Sequence, residues 1–421
     1  MFTPQGCTFI FFIVLLIFLS STNSQSTSKP NIIIIVADDL GWNDVSFHGS
    51  NQVPTPNIDA LAYSGVILNN YYTLPLCSPS RSALMTGKHP IPGTGMQSSV
   101  IIANEPWGLG LEEKLLPQYL KDEGYATHSV GKWHLGYFHK EYTPTFRGFD
   151  SHFGFWTGFV DYYDYVLHST YWGHDLRENM NVTKRGLGEY ATRLFTQEAE
   201  KLIAEHDTSR PMFLYFGQLA VHSANPYKPL QAPQETIDKF AYITDPKRRV
   251  FAAMLTELDY SVGAMVAALK EGGLLENSII VFTTDNGGCP AGYGDSAASN
   301  WPLRGIKNSL WDGGVRGAAL IWSPLLQNTP RVSTQLVHIQ DWLPTLMSAI
   351  SANVSLGDLD GVDLWPPLNN PNLDTHQNLL INIDDREERY ALRMGDWKII
   401  KGGAPNSSFD YVFGPSGRDG K

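Results

Sequence analysis

Along this chain the apolar positions fall into short unbroken runs separated by amphipathic stretches. The clearest run lies in "NIIIIVADDL" (31–40), where five consecutive β-branched residues stand together. Such a run cannot alternate between a wet and a dry face, so it predicts a strand covered on both sides, as in a parallel sheet. "YATHSVGKWHLG" (125–136), "RPMFLYFGQLAVHSA" (210–224) and "NSIIVFTTDNGG" (277–288) repeat the form, an apolar stretch giving way to polar residues. Between them the spacing predicts helices over 189–206, with Leu194, Phe195, Leu202 and Ile203 on one stripe, and over 249–270, with Val250, Met254, Leu258, Val262 and Val266 four apart. Glu257 and Asp259 read as the solvated face of the second helix. Beyond about residue 345 the pattern loosens. The Pro- and Asn-rich stretch 364–378 reads as a linker or long loop, and "RYALRMGDWKIIKG" (389–402) as a hairpin turning at Gly395-Asp396. A lone hairpin is marginal in water, so this one belongs to a small appended subdomain. The fold class is α/β: a mainly parallel sheet flanked by helices over 25–350, then a linker and a partial antiparallel subdomain over 351–421.

Composition sharpens the picture. With 421 residues, 43% of them hydrophobic, the chain can bury a large core and is neither disordered nor fibrous. Residues 8–19, "TFIFFIVLLIFL", are uniformly apolar but short for a membrane span, and "SSTNSQSTS" follows them; 1–24 reads as a signal peptide of the secretory pathway, and no later segment reads as a span. Sequons at Asn181, Asn353 and Asn406 fit a lumenal glycoprotein, lysosomal or extracellular. A formal charge of −11 argues against nucleic acid or an anionic membrane as partner. The 12 histidines would shift that balance in an acidic compartment and lessen the repulsion of an anionic substrate.

Four apolar runs end in chemistry. They close on Asp38 and Asp39, on Lys132 and His134, on His222, and on Asp285 and Asn286. In open α/β sheets ligands bind beyond the carboxyl ends of the strands, so parallel strands would bring these groups to one mouth. Three carboxylates and an amide oxygen are hard ligands, suited to Ca²⁺ or Mg²⁺, with cations alongside for an anion. Taken singly, each motif has a plainer reading: a turn, a helix cap or a hydrogen-bonded structural histidine. In the stretch "LCSPSRSALMTG" (76–87), Cys77 precedes an apolar helical run, which places it near a helix N-terminus that favours anions. Outside the leader the chain keeps only Cys77 and Cys289, so a disulfide between them is the competing reading.

Here the sequence resembles a known family. Cys-Ser-Pro-Ser-Arg followed by "SALMTGK" is similar to the sulfatase signature, whose cysteine is oxidised to Cα-formylglycine; "GYATHSVGKWHLG", "DDLGWNDVSFHGS", "TDNGG" and "NWPLRGIKNSLWDGGVRG" (300–317) extend the resemblance over about 30–350. Within the family it is nearest to arylsulfatase B, an N-acetylgalactosamine-4-sulfatase, and its relatives. The resemblance implies an alkaline-phosphatase-like fold and one Ca²⁺ held by Asp38, Asp39, Asp285, Asn286 and the modified Cys77. It also implies that Arg81 steadies residue 77, that Lys132, Lys307, His134 and His222 surround the sulfate, and that a formylglycine-generating enzyme acts during biosynthesis. The expected activity is hydrolysis of sulfate esters, such as the 4-sulfate of N-acetylgalactosamine in dermatan or chondroitin sulfate. A phosphoester hydrolase on the same scaffold and an inactive glycan-binding relative stand as alternatives. Two departures are noted: relatives carry several disulfides that this chain cannot form, and they continue beyond "WKIIKG" through further strands, leaving the hairpin an exposed edge. Cys289, after "DNGG", reads as a small buried residue.

Overall fold

The computed structural model describes residues 29–402, apart from 92, 93, 98, 291–293 and 295. The leader at 1–24 and the Asn406 sequon therefore lie outside the described residues.

In chain order the strands are β1 (Asn31–Ala37), β2 (Val66–Tyr72), β3 (Ala126–Lys132), β4 (Ser151–Phe155), β5 (Val166–His168), β6 (Trp172–His174), β7 (Arg177–Glu178), β8 (Asn181–Val182), β9 (Met212–Gly217), β10 (Ser278–Thr284), β11 (Ala319–Trp322), β12 (Arg331–His338), β13 (Asn378–Asp384), β14 (Arg389–Met394) and β15 (Trp397–Lys401). The helices are α1 (Pro56–Ser64), α2 (Cys77–Thr86), α3 (Leu116–Asp122), α4 (Ala191–Ala204), α5 (Gln234–Ile237), α6 (Pro246–Glu271), α7 (Asp312–Val315), α8 (Trp342–Ala349) and α9 (Trp365–Asn369). Ten strands form one sheet in the order β12-β2-β11-β10-β1-β9-β3-β4-β7-β8, while β5 and β6 pair apart.

The four strands read from the apolar runs lie side by side at its centre, β10-β1-β9-β3, each parallel to its neighbour. All seven residues of β1 are buried, and its side chains split between two cores. Ile33 and Ile35 face the layer containing Phe195 of α4 and Met254 of α6; Ile32, Ile34 and Val36 face Leu84 of α2, Leu116 of α3 and Trp342 of α8. Covering both faces is what lets the run be apolar throughout, at roughly 1.5–3 kcal/mol for each fully buried aliphatic side chain.

Helix α6 starts where Asp245 accepts the Arg248 N–H at 2.8 Å and Pro246 takes the first turn. Among the described residues it is the one helix long and apolar enough to cross a membrane, and 67% of its most apolar window is packed inside the fold. The solvated face expected at Glu257 and Asp259 is instead buried. Glu257 takes Arg193 of α4 through both carboxylate oxygens at 2.8 Å, and Asp259 accepts the N–H groups of Asn57 and Ile58 at 3.0 and 2.9 Å, satisfying the first turn of α1. Both charges are covered because neighbouring elements bring a partner to each.

The C-terminal hairpin forms with Met394 opposite Trp397 across Gly395-Asp396, and β13 adds a third antiparallel strand beside β14. The stretch 364–378 differs from the expected loop: it contains α9 before turning, and His376 then bonds Asp341 at 2.9 Å, fastening the small sheet to the main body.

Candidate active site

Every segment that carries a candidate residue ends at the same edge of the sheet. Asp38 and Asp39 follow β1, Lys132 closes β3 with His134 just beyond, His222 follows β9, and Asp285 and Asn286 follow β10. Cys77 is the first residue of α2, whose N-terminus has no side-chain cap, and Gly87 ends the helix in the left-handed region at φ 69°. Arg81 lies one turn further on, and Lys307 comes from the loop after β10.

Three buried carboxylates meet three buried cations. Lys132 Nζ donates to Asp38 Oδ2 and Lys307 Nζ lies against Asp39 Oδ1, both at 2.6 Å. Arg81 donates through Nε and Nη2 to Asp285 Oδ2 at 3.0 and 2.9 Å, and through Nη1 to the Tyr215 hydroxyl at 2.8 Å. A Cβ at position 217 would lie 3.1 Å from Arg81 Nη1 and 2.7 Å from the Lys132 carbonyl, so the glycine at the end of β9 makes room for the guanidinium. Asp39 and His134 both adopt positive φ, 58° and 59°, a conformation that costs a non-glycine residue roughly 1–2 kcal/mol.

Protonation follows from this packing. Burial, reinforced by Asp285, pushes the Asp38 carboxyl up to about 7, with Lys132 and Arg81 opposing. Against the same burial, Arg81 and the two lysines hold Asp285 below the usual carboxylate range, and Lys307 with His222 holds Asp39 below it. Burial and then Asp285 push the Cys77 thiol up to about 12, so the unmodified sulfur is a protonated thiol at neutral pH. Burial lowers His222 to about 3 and His134 well below its ordinary value, the lysines acting in the same sense. Both rings are neutral. His222 Nδ1 faces the Ser223 carbonyl at 2.5 Å and His134 Nε2 the Ile101 carbonyl at 3.0 Å, which leaves His222 Nε2, 3.6 Å from Asp39 Oδ2, and His134 Nδ1 as the remaining ring nitrogens.

Cys77 Sγ lies 3.6 Å from Asp38 Oδ1, and ligand atoms of Asp38, Asp39, Cys77 and His222 all fall within 4.8 Å of one another. Asn286 donates to Asp39 Oδ1 at 2.7 Å, leaving its own Oδ1 and Asp39 Oδ2 buried without a hydrogen-bond donor. Buried oxygens without a donor are of the kind that could hold a hard divalent cation. Above them opens a cavity of about 340 Å³ with Cys77, His134, His222 and Lys307 in its wall, and Val100, Ile102 and Phe159 as an apolar rim.

The family model described as Sulfatase matches residues 30–352. The chain belongs to the sulfatase family. Arylsulfatase J of Mus musculus is 44% identical over 401 residues, covering 90% of this chain and 65% of that protein. N-acetylgalactosamine-6-sulfatase of Mus musculus is 31% identical over 361 residues, covering 80% of this chain and 66% of its own length. The chain thus spans about two thirds of the length of these curated relatives. Among solved structures, that of Ps i-CgsB in complex with k-i-k-neocarrahexaose has a TM-score of 0.79 and 32% identity, covering 89% of this chain and 84% of that one. Arylsulfatases and a galactosamine sulfatase are the company that the arylsulfatase B resemblance implied, although the 44% relative is an arylsulfatase J.

All ten candidate residues of the sulfatase site converge, but not equivalently. The four-donor cluster contains His222, expected at the sulfate, whereas Asp285, expected on the metal, spends Oδ2 on Arg81 and turns Oδ1 toward the Asp39 N–H at 3.3 Å. No disulfide joins Cys77 and Cys289 among the described residues, and Cys289 is buried as expected. Asn181 and Asn353 are exposed. Sequence reasoning missed Tyr215, whose hydroxyl is hidden in an apolar run, and the loop at Val100–Ala103, which shows no periodicity yet supplies the Ile101 carbonyl to His134. Phe159, stacked 5.4 Å from His222, was equally silent.

Proposed function

We propose that this sulfatase-family protein hydrolyses sulfate esters, with Cys77 serving as the precursor of a Cα-formylglycine and not as a thiol nucleophile. The observation that carries this reading is the placement of Cys77: first in a helix, 3.6 Å from Asp38, unpaired with Cys289, and held as a thiol by burial where a thiolate would be needed for attack. A hydrated aldehyde at position 77 would supply one hydroxyl as nucleophile and a second through which sulfate is later released, and Ca²⁺ would supply Lewis-acid stabilisation of the sulfate oxygens. Asp38, Asp39, Asp285, Asn286 and residue 77 would hold that ion, Asp285 being fixed by Arg81.

The chain's own side chains divide the remaining work. Lys132 and Lys307, fixed by Asp38 and Asp39, place two cations where a sulfate would sit. His222 lines the cavity, its Nε2 3.6 Å from Asp39 Oδ2, and is the proton donor to the leaving oxygen once the anion's charge favours the imidazolium; His134 Nδ1 accepts a proton from the hydroxyl at residue 77. Arg81, locked by Asp285 and Tyr215, orients the first turn of α2. The apolar rim and the relatives' names favour a sulfated sugar, and the 4-sulfate of N-acetylgalactosamine in dermatan or chondroitin sulfate is the proposed substrate. Passage through the secretory pathway, to the lysosome or outside, where a formylglycine-generating enzyme meets the chain, goes with this reading. Mass spectrometry of the peptide containing residue 77 tests it: formylglycine is about 18 Da lighter than cysteine by composition. An intact thiol in protein that turns over nitrophenyl sulfate would refute the modification, and preference for nitrophenyl phosphate would refute the ester class.

A further inference from the structure

Beside the cavity over Cys77 lies a second one of about 170 Å³, and the two share Ala103, Leu167 and Ser169 in their walls. The second is built on the β5–β6 hairpin, which belongs to no other sheet and buries little of itself. Its tip presents Tyr171 and Trp172, 73% and 63% exposed, and Tyr227 stands beside them at 54%. Trp172 stacks on His168 with centroids 4.2 Å apart and lies nearly parallel to Tyr227, 17° between planes at 5.7 Å. Single exposed aromatics are ordinary; near-parallel rings gathered beside a catalytic cavity form a surface.

That surface is pinned in place. Asn225, fully buried and three residues beyond His222, accepts the His168 N–H at 2.7 Å and donates to the Val166 carbonyl at 2.8 Å and the Tyr227 hydroxyl at 3.0 Å. One amide therefore sets the hairpin, Tyr227 and the His222 turn in fixed relation. Arg177 lines the same cavity, held to Asp175 at 2.9 Å and stacked over Trp156 at 4.3 Å, and offers a cationic edge.

From this juxtaposition we infer that the second cavity is a subsite for the sugar next to the sulfated one, whose apolar face packs on Trp172, backed by Tyr227, while its anionic substituent meets Arg177. The substrate class is a sulfated, acidic oligosaccharide rather than a monosaccharide sulfate, and Trp172 is a specificity-determining residue. The inference rests on the sulfate-ester reading above, and its test separates the two.

Turnover of p-nitrophenyl sulfate and of a sulfated N-acetylgalactosamine-containing tetrasaccharide is compared in wild type, Trp172→Ala and Trp172→Phe. Trp172→Ala should lower kcat/KM on the tetrasaccharide about tenfold, the size of a lost aromatic contact, with the aryl sulfate changed less than about twofold and Trp172→Phe largely restored. An equal loss on both substrates, or no loss on the tetrasaccharide, overturns the subsite. Should wild type cleave neither sulfate, the ester reading has failed, and calorimetric titration of the same tetrasaccharide decides the subsite alone. Binding about tenfold weaker in Trp172→Ala supports it; equal affinity, or no binding by wild type, overturns it.

Discussion

Replacing Cys77 by alanine separates chemistry from structure more cleanly than any other single change. The side chain is 1% exposed and its sulfur has one weak polar contact, to Asp38 at 3.6 Å. Removing that atom forfeits burial comparable to one methylene, about 0.8 kcal/mol, and leaves a small void, for a total of about 1–2 kcal/mol. A fold of this kind holds roughly 5–15 kcal/mol, so the variant stays folded, and Tm falls by no more than about 4 °C. Loss of the nucleophile should lower turnover by at least about 10³-fold, an increase of about 4 kcal/mol in the barrier. Cys77→Ser restores the volume and a hydroxyl but not the thiol from which an aldehyde is made, and it should be as inactive as the alanine variant. The assay is p-nitrophenyl sulfate turnover beside differential scanning calorimetry of the same preparations. Turnover within tenfold of wild type in either variant would refute the reasoning, as would an alanine variant that fails to fold.

Asp285→Asn keeps the shape but removes the charge that Arg81 pairs with; calcium-dependent stabilisation and turnover should fall together, and a variant with unchanged calcium dependence of Tm takes Asp285 out of the site. Asp259→Ala strips three hydrogen bonds from the start of α1 and should cost about 2–4 kcal/mol in urea unfolding, while kcat of the folded fraction is unchanged. His152, buried between β3 and β4 with Nδ1 3.2 Å from the Ser129 hydroxyl, is lowered to about 3 by burial and then by Arg177. The unfolded chain binds the proton more readily, so the stability this ring contributes is complete above pH 6.5 and lost as pH falls toward 3. At pH 5 the loss is about 2 kcal/mol, and His152→Gln should flatten the Tm profile between pH 6.5 and 4.

The central sheet was legible because a parallel strand covered on both faces must be apolar at every position, as β1 is. The site was legible because each of those runs stops abruptly at a charged or amide side chain. Glu257 and Asp259 were misread since their partners, Arg193, Asn57 and Ile58, come from other elements, and helical periodicity says nothing about a carboxylate answered across an interface. Which oxygen of Asp285 or ring nitrogen of His222 turns inward was not legible, because motif spacing reports which strand carries a residue and not how its side chain is turned. The aromatic hairpin gave no signal, its two strands being three residues each and their pairing local.

The burial of residue 77 bears on when the proposed conversion of its side chain would take place. With residue 77 only 1% exposed in the folded chain, a modifying enzyme of the kind proposed would reach it best while the polypeptide is still open. Asp285 is joined to the nascent chain 204 residues after Arg81, the partner it locks, and Lys307 of the cavity wall follows later still. At ordinary synthesis rates of about 5–20 residues per second, that separation leaves an interval of about 10–40 seconds. On that proposal, a variant whose sheet closes sooner should carry less formylglycine at position 77.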